Sequence, residues 1–196
     1  MARRGGMALG GALLVLAGAG VAVWSLMGAP SKNAPTSATF GYEAWLVRCQ
    51  AAGEKVGCGM SQQILDQGSR QSVLQLHVAR APKGEGHQLV VVLPLGVSVP
   101  QGILIQIGES KRNVAFTQCL PGGCVAPTPV DAAFLNVLKS GGEGRVGVVG
   151  RNGKTVAVPF SLKGFAPAFE KMEERGGIGN SDATWWNGSW NSSETK

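Results

Sequence analysis

Charge is scarce in this chain, and so are histidine and the aromatic residues. Asp, Glu, Lys and Arg supply 15% of 196 residues and Phe, Trp and Tyr 6%, with two histidines and four cysteines. Together with 30 glycines, this composition excludes a charged helical bundle and points to a turn-rich chain of small residues. Few groups are left for acid–base or nucleophilic chemistry, which needs a nucleophile and base or paired carboxylates. There is no Gly-x-Ser-x-Gly, no Cys-x-x-Cys-His, and no glycine cluster followed by Lys-Ser/Thr. Glu170, Glu173 and Glu174 fall on a short helix, where a solvated face is the ordinary explanation. His77 and His87 read the same way, the first in an alternating strand and the second in the turn "KGEGH". No catalytic set assembles, so neither an enzyme nor a cofactor is expected.

The net charge of +6 does not make a nucleic-acid surface either. Between Phe40 and Glu174 there are 13 Lys/Arg against 10 Asp/Glu, spread singly apart from Lys111-Arg112. Tracking phosphates takes several cations on one face, usually with stacking aromatics.

Charge is missing altogether from Met7 to Ala29, 23 residues that follow Arg3 and Arg4. As a helix this run would span about 34 Å, against roughly 30 Å of hydrocarbon. Trp24 sits near its far end, where an aromatic meets headgroups. Residues 1–29 therefore read as a transmembrane anchor with its N-terminus cytoplasmic and the rest of the chain exported. "AGA" at 17–19 supports a competing signal peptide, cleaved to release the rest of the chain. Both readings export the chain.

Residues 30–39 form a Pro/Ser/Thr/Ala-rich linker. From Phe40 the pattern changes to short β-friendly runs separated by turns: "YEAWLVRC", "VGCGMSQQIL", "SVLQLHVAR", "HQLVVVLPL", "GILIQIG", "NVAFTQC", "GRVGVVG" and "KTVAVPFSL". In "SVLQLHVAR", Leu74, Leu76 and Val78 oppose Val73, Gln75 and His77. "RNGK" at 151–154 has the Asn-Gly pair of a type I′ turn. Eight such runs predict an antiparallel β-sandwich or barrel over 40–174. Two short helices should cap its open ends. One starts at Asp131 and turns Phe134, Leu135 and Leu138 inward; the other carries Phe165, Phe169 and Met172. "LPLGVSVPQGILIQIG" reads either as two buried strands joined by a kinked crossing or as a partner groove lined by Val97, Val99 and Ile103. The tail, 175–196, is Gly/Asn/Ser-rich yet holds Trp185, Trp186 and Trp190, which either fold back or meet a partner or the membrane.

The cysteines are Cys49, Cys58, Cys119 and Cys124, and four cysteines allow three pairings. An exported domain sits where disulfides persist. Local pairing, Cys49 with Cys58 and Cys119 with Cys124, is the parsimonious expectation, because each interval is hairpin-like and nearest partners meet first. Redox use wants Cys-x-x-Cys at a helix start, and a zinc site drawing on His77 or His87 lacks paired knuckles.

Several stretches together resemble the invasion-associated locus B family: "FGYEAWLVRCQ" and Cys58, "LPLGVSVPQGILIQI", "FTQCLPGGCVAP", "VDAAFLNVLKSGGEGRV" and "VAVPFSLKGFAPAFEKM". The resemblance covers about Phe40 to Met172. It implies a periplasmic or surface β-sandwich stapled by local disulfides, with no known enzymatic activity. The long apolar segment and the Trp-rich tail depart from the family pattern and suggest a member held at the bacterial inner membrane, its domain in the periplasm beside other membrane-protein subunits; signal cleavage would instead leave a periplasmic or secreted protein. The functional expectation is a non-enzymatic, membrane-tethered accessory subunit. The alternatives are a secreted or surface factor of adhesion or host entry, and a periplasmic thiol-disulfide protein.

Overall fold

The structure, a computed structural model, describes residues 37–52, 55–81 and 86–176. The anchor or signal at 1–29, most of the linker and the tail with Trp185, Trp186 and Trp190 lie outside them. Among the described residues no helix is long and apolar enough to cross a membrane.

Two antiparallel sheets and two short helices close around one apolar core. The larger sheet has seven strands: β1 (Ala38–Tyr42), β2 (Trp45–Ala52), β3 (Lys55–Leu65), β4 (Ser72–Arg80), β5 (His87–Leu93), then β9 (Gly123–Val130) and β8 (Gln118–Leu120). The smaller has four, in the order β11 (Thr155–Ser161), β10 (Glu143–Val149), β6 (Ile103–Ile107) and β7 (Ser110–Val114). Alternation in the sequence becomes alternation across the sheet. The inward row of the larger sheet is Trp45, Val47 and Cys49, then Met60, Leu74, Leu76, Val78, Leu89, Val91 and Leu93, all buried. Ile103, Ile105, Ile107, Val146, Val148 and Phe160 answer from the smaller sheet, and all belong to one cluster. Burying a side chain of this size contributes about 1.5–3 kcal/mol, so the shared core holds the sheets together.

α1 (Ala132–Ser140) begins where Asp131 accepts a hydrogen bond from the Phe134 N–H at 2.8 Å, and it buries Phe134 and Leu138. α2 (Phe165–Arg175) buries Phe165, Ala168, Phe169 and Met172. It does not close an open end of the sandwich, since its contacts run across β1, β2 and β3.

Several sequence expectations need correcting. The linker ends earlier than residue 39, because β1 begins at Ala38. β9 was missed because Pro127 and Pro129 argue against a central strand. Both prolines lie beyond the short partner β8, which pairs only with Gly123, Cys124 and Val125, so no hydrogen-bond partner on that side is lost. "NVAFTQC" is not one strand: β7 ends at Val114 and β8 begins at Gln118. At "RNGK" the hairpin turn is present, but Asn152 does not take the positive φ of a type I′ turn; only Gly153 does, at 75°. Asn152 Oδ1 accepts from the Lys154 N–H at 3.0 Å, and the loop is longer than two residues.

Candidate interaction surfaces

The chemistry-bearing residues are mostly occupied with holding the fold. Cys49 faces Cys58 across β2 and β3, and Cys119 faces Cys124 across β8 and β9. Both pairs are bridged and no cysteine is free. In the chain-entropy picture, closing loops of these lengths contributes about 2.7 and about 2.2 kcal/mol. The bridges differ in access. Cys49 is buried and Cys58 half-buried, with Gly176 at the end of α2 close to the Cys58 Cβ. Cys119 is exposed at a hairpin rim.

Neither histidine is the solvated surface group expected. His77 does point away from the main core, as its strand alternation requires, but it is 4% exposed. Burial, with the Arg48 charge adding to it, pushes its pKa down to about 4. Its Nε2 lies 3.3 Å from Gln75 Oε1. His87 packs edge-on against Phe169, with ring centroids 4.7 Å apart, and its Nε2 is 3.0 Å from Glu173 Oε1. Glu173 also accepts from Arg80 at 2.7 Å, so it clamps α2 to the ends of β4 and β5 and is not merely part of a solvated face. Arg112 does similar work between the sheets. It donates to Asp131 at 2.7 Å and to the Pro129 carbonyl at 3.0 Å, and it stacks over Phe134. The Arg112 hydrogen bond, followed by the Phe134 N–H, holds the Asp131 pKa below its ordinary value.

One polar group escaped the sequence reading entirely. Gln62 is 7% exposed on the inward face of β3. Its Nε2 donates to the carbonyls of Ala44 at 3.1 Å and Ser161 at 2.9 Å, and its Oε1 accepts from the Ser161 N–H at 3.0 Å. Trp45 Nε1 donates to the same Ser161 carbonyl at 3.0 Å. The backbone of β11 is thus latched to β2 and β3. Gln62 inside "GMSQQIL" carries no signal for this, because its partner lies 99 residues away.

Among the described residues two surface features stand out. The first is the end of the molecule carrying the β8–β9 hairpin. Leu120 pairs with Gly123, Cys124 with Leu93, and Val97 bridges to Gly150, so these loops gather at one pole. Leu95 is 59% exposed there, Val99 43% and Leu120 42%. The groove read from Val97, Val99 and Ile103 is not formed, because Ile103 is buried at 3% exposure and belongs to the core. The second is the outer edge of β1. Beside it Ser37, Ala38, Thr39, Arg48, Cys49 and Gln50 line a shallow depression of about 480 Å³. Among the described residues no cluster of three His, Cys, Asp or Glu could hold a metal ion.

These features define a class: a disulfide-stapled β-sandwich whose open features are surfaces. Residues 45–173 match the family model described as invasion associated locus B (IalB) protein. An invasion protein B homolog of Brucella abortus is 31% identical over 134 residues, covering 67% of this chain and 77% of its own length. Invasion protein B of Bartonella bacilliformis is 26% identical over 152 residues, covering 71% of this chain and 77% of its own. The fold matches the crystal structure of invasion associated protein B from Bartonella henselae, with a TM-score of 0.62 at 20% identity over 69% of this chain and 95% of that one. The chain belongs to the invasion associated locus B family.

Proposed function

We propose that the protein is a non-enzymatic interaction module, tethered to the inner membrane by residues 1–29, with its sandwich in the periplasm as an accessory subunit of a membrane-protein assembly. The observation that carries this reading is where the reactive side chains have gone. All four sulfurs are in bridges. His77 is buried, and His87 is tied to Glu173. Exposed apolar side chains such as Leu95, Val99 and Leu120 remain on the surface, and they suit binding. Gentle detergent extraction from native membranes, affinity purification of the full chain and intact-mass measurement test the reading. Uncleaved chain in stoichiometric company supports it; a lone, shortened monomer in the soluble periplasm sinks it.

A second reading is favoured by the relatives, which carry the name invasion protein B. On that reading the chain is a released or surface-exposed factor acting on a host cell. It predicts a mature N-terminus beyond about Ala19 and protein in the medium. The thiol-disulfide reading requires a free thiolate, so native alkylation at neutral pH that labels any of the four cysteines would restore it.

A further inference from the structure

His77 is one of a set of residues that are buried without belonging to the core. Ala79 is 9% exposed, Val90 8% and Val125 4%, yet none of them is in the cluster that holds the two sheets together. The register puts them on the outer face of the larger sheet. Ser61, His77, Val90 and Pro127 stand in one row across β3, β4, β5 and β9. Gln63, Gln75, Val92 and Val125 form the next row on the same face, because successive side chains alternate. Neither row holds an acid, a lysine or an arginine; Arg48, opposite Gly59 from β2, borders them. Where one face of an antiparallel sheet is packed, the other is ordinarily solvated and polar. This one has valine and proline at its centre, glutamines around them and a buried histidine.

An occupant of this face must bring apolar area and a few hydrogen-bond donors but little charge. Residues 183–193 of the chain's own tail, ATWWNGSWNSS, contain three tryptophans and no charged residue. An indole covers a large apolar area and needs one acceptor for its N–H, which a glutamine side-chain carbonyl offers. The tail also starts close enough. α2 ends beside Cys58, where a Cβ on Gly176 would lie 3.4 Å from the Cys58 Cβ. Glu173 in its last turn holds Arg80 and His87 at the ends of β4 and β5. From Arg80 to His77 is about 10 Å along β4. Nine residues lead from Gly176 to Trp185, an extended reach of about 30 Å. That is enough to turn over the end of the sheet and run onto the row of His77.

We infer that residues 177–196 fold back as a strap over the outer face of the larger sheet, seating Trp185, Trp186 and Trp190 on the rows of His77 and Val92. This goes beyond the reading of the chain as an interaction module and does not depend on it. Apolar contact with the valines and proline would supply the affinity, and the glutamines would fix the indoles in place.

The test uses the full chain in detergent, with no lipid or partner added. Diethyl pyrocarbonate acylates accessible neutral imidazole, and its modification of His77 should be slow. In a Trp185→Ser/Trp186→Ser/Trp190→Ser chain the rate at His77 should rise about fivefold while the rate at His87 stays unchanged. Val92→Glu, which sets a carboxylate in the middle of the face, should do the same with the tail intact. A benzoylphenylalanine placed at Ser189 should, on illumination, join to β4, β5 or β9 of the same chain, with a yield independent of protein concentration. Equal His77 rates in the wild-type and triple-serine chains overturn the inference, as do crosslinks confined to other elements, such as the loop at 94–102. A crosslink yield that grows with concentration also overturns it and makes the occupant a second copy. Protection of His77 that appears only after lipid is added overturns it in favour of the membrane.

Discussion

His77 shows how one side chain couples pH to the stability of this fold. Its folded pKa of about 4 lies below the ordinary 6.5, so the unfolded chain binds the proton more readily. The His77 contribution is therefore complete above about pH 6.5, is lost as pH drops toward 4, and is constant below that. The loss amounts to roughly 3 kcal/mol. Urea midpoints measured from pH 7.5 to 4 should show it, and His77→Gln should flatten that part of the curve. Gln62 is a second test at this scale. Gln62→Leu leaves the Ser161 N–H and two carbonyls without their amide partner inside the core and should cost about 1–3 kcal/mol. Were its denaturant midpoint unchanged, the latch would be incidental. Gly164 has φ of 80° and backs onto Tyr42, so a Cβ there would run into the Tyr42 carbonyl oxygen. Gly164→Ala should destabilise the fold more than Gly41→Ala, where the space is open. A thermal melt of both variants decides it.

Among the elements, the hairpins and helices carry the family signature, and their packing explains it. Trp45 and Cys49 are four residues apart on β2, so both point inward; Trp45 packs at 90° on Phe165, and Cys49 bridges to Cys58. Leu162, Gly164 and Phe165 bring the chain from β11 into α2. The motifs that make the chain recognisable are thus folding residues. The two disulfides should behave differently because their elements do. With Cys119 exposed at a hairpin rim, Cys49 buried and Cys58 half-buried beside the α2 end, mild reductant should open Cys119–Cys124 first. Alkylation and peptide mass mapping at increasing reductant report the order, and simultaneous opening would contradict it. The strand pattern was legible wherever one face is apolar and the other polar, as in β4. It failed at β9, where prolines are tolerated only because of what lies beside them.

For the whole molecule, one shared core implies one cooperative unit among the described residues. The cluster draws on both sheets and both helices. With disulfides intact, near- and far-ultraviolet circular dichroism should therefore report a single coincident transition. A helix signal lost ahead of the sheets would show that α2 is a separate layer. At the same scale Glu173 binds α2 to β4 and β5 through Arg80 and His87. The arrangement places the apolar loop pole of Leu95, Val99 and Leu120 at the end where β5 finishes, whereas β1 begins beside Cys49 at the other end.

Local patterns were enough to establish an all-β domain, the two helices with the Asp131 cap, and the alternating faces of β4. Those depend on periodicity, turn chemistry and capping, which act over a few residues. Only the tertiary structure decided what Gln62, His77, His87 and Glu173 do, and where the exposed apolar residues Leu95, Val99 and Leu120 gather. Each of these depends on a partner or a neighbour far along the chain, and no local spacing encodes it.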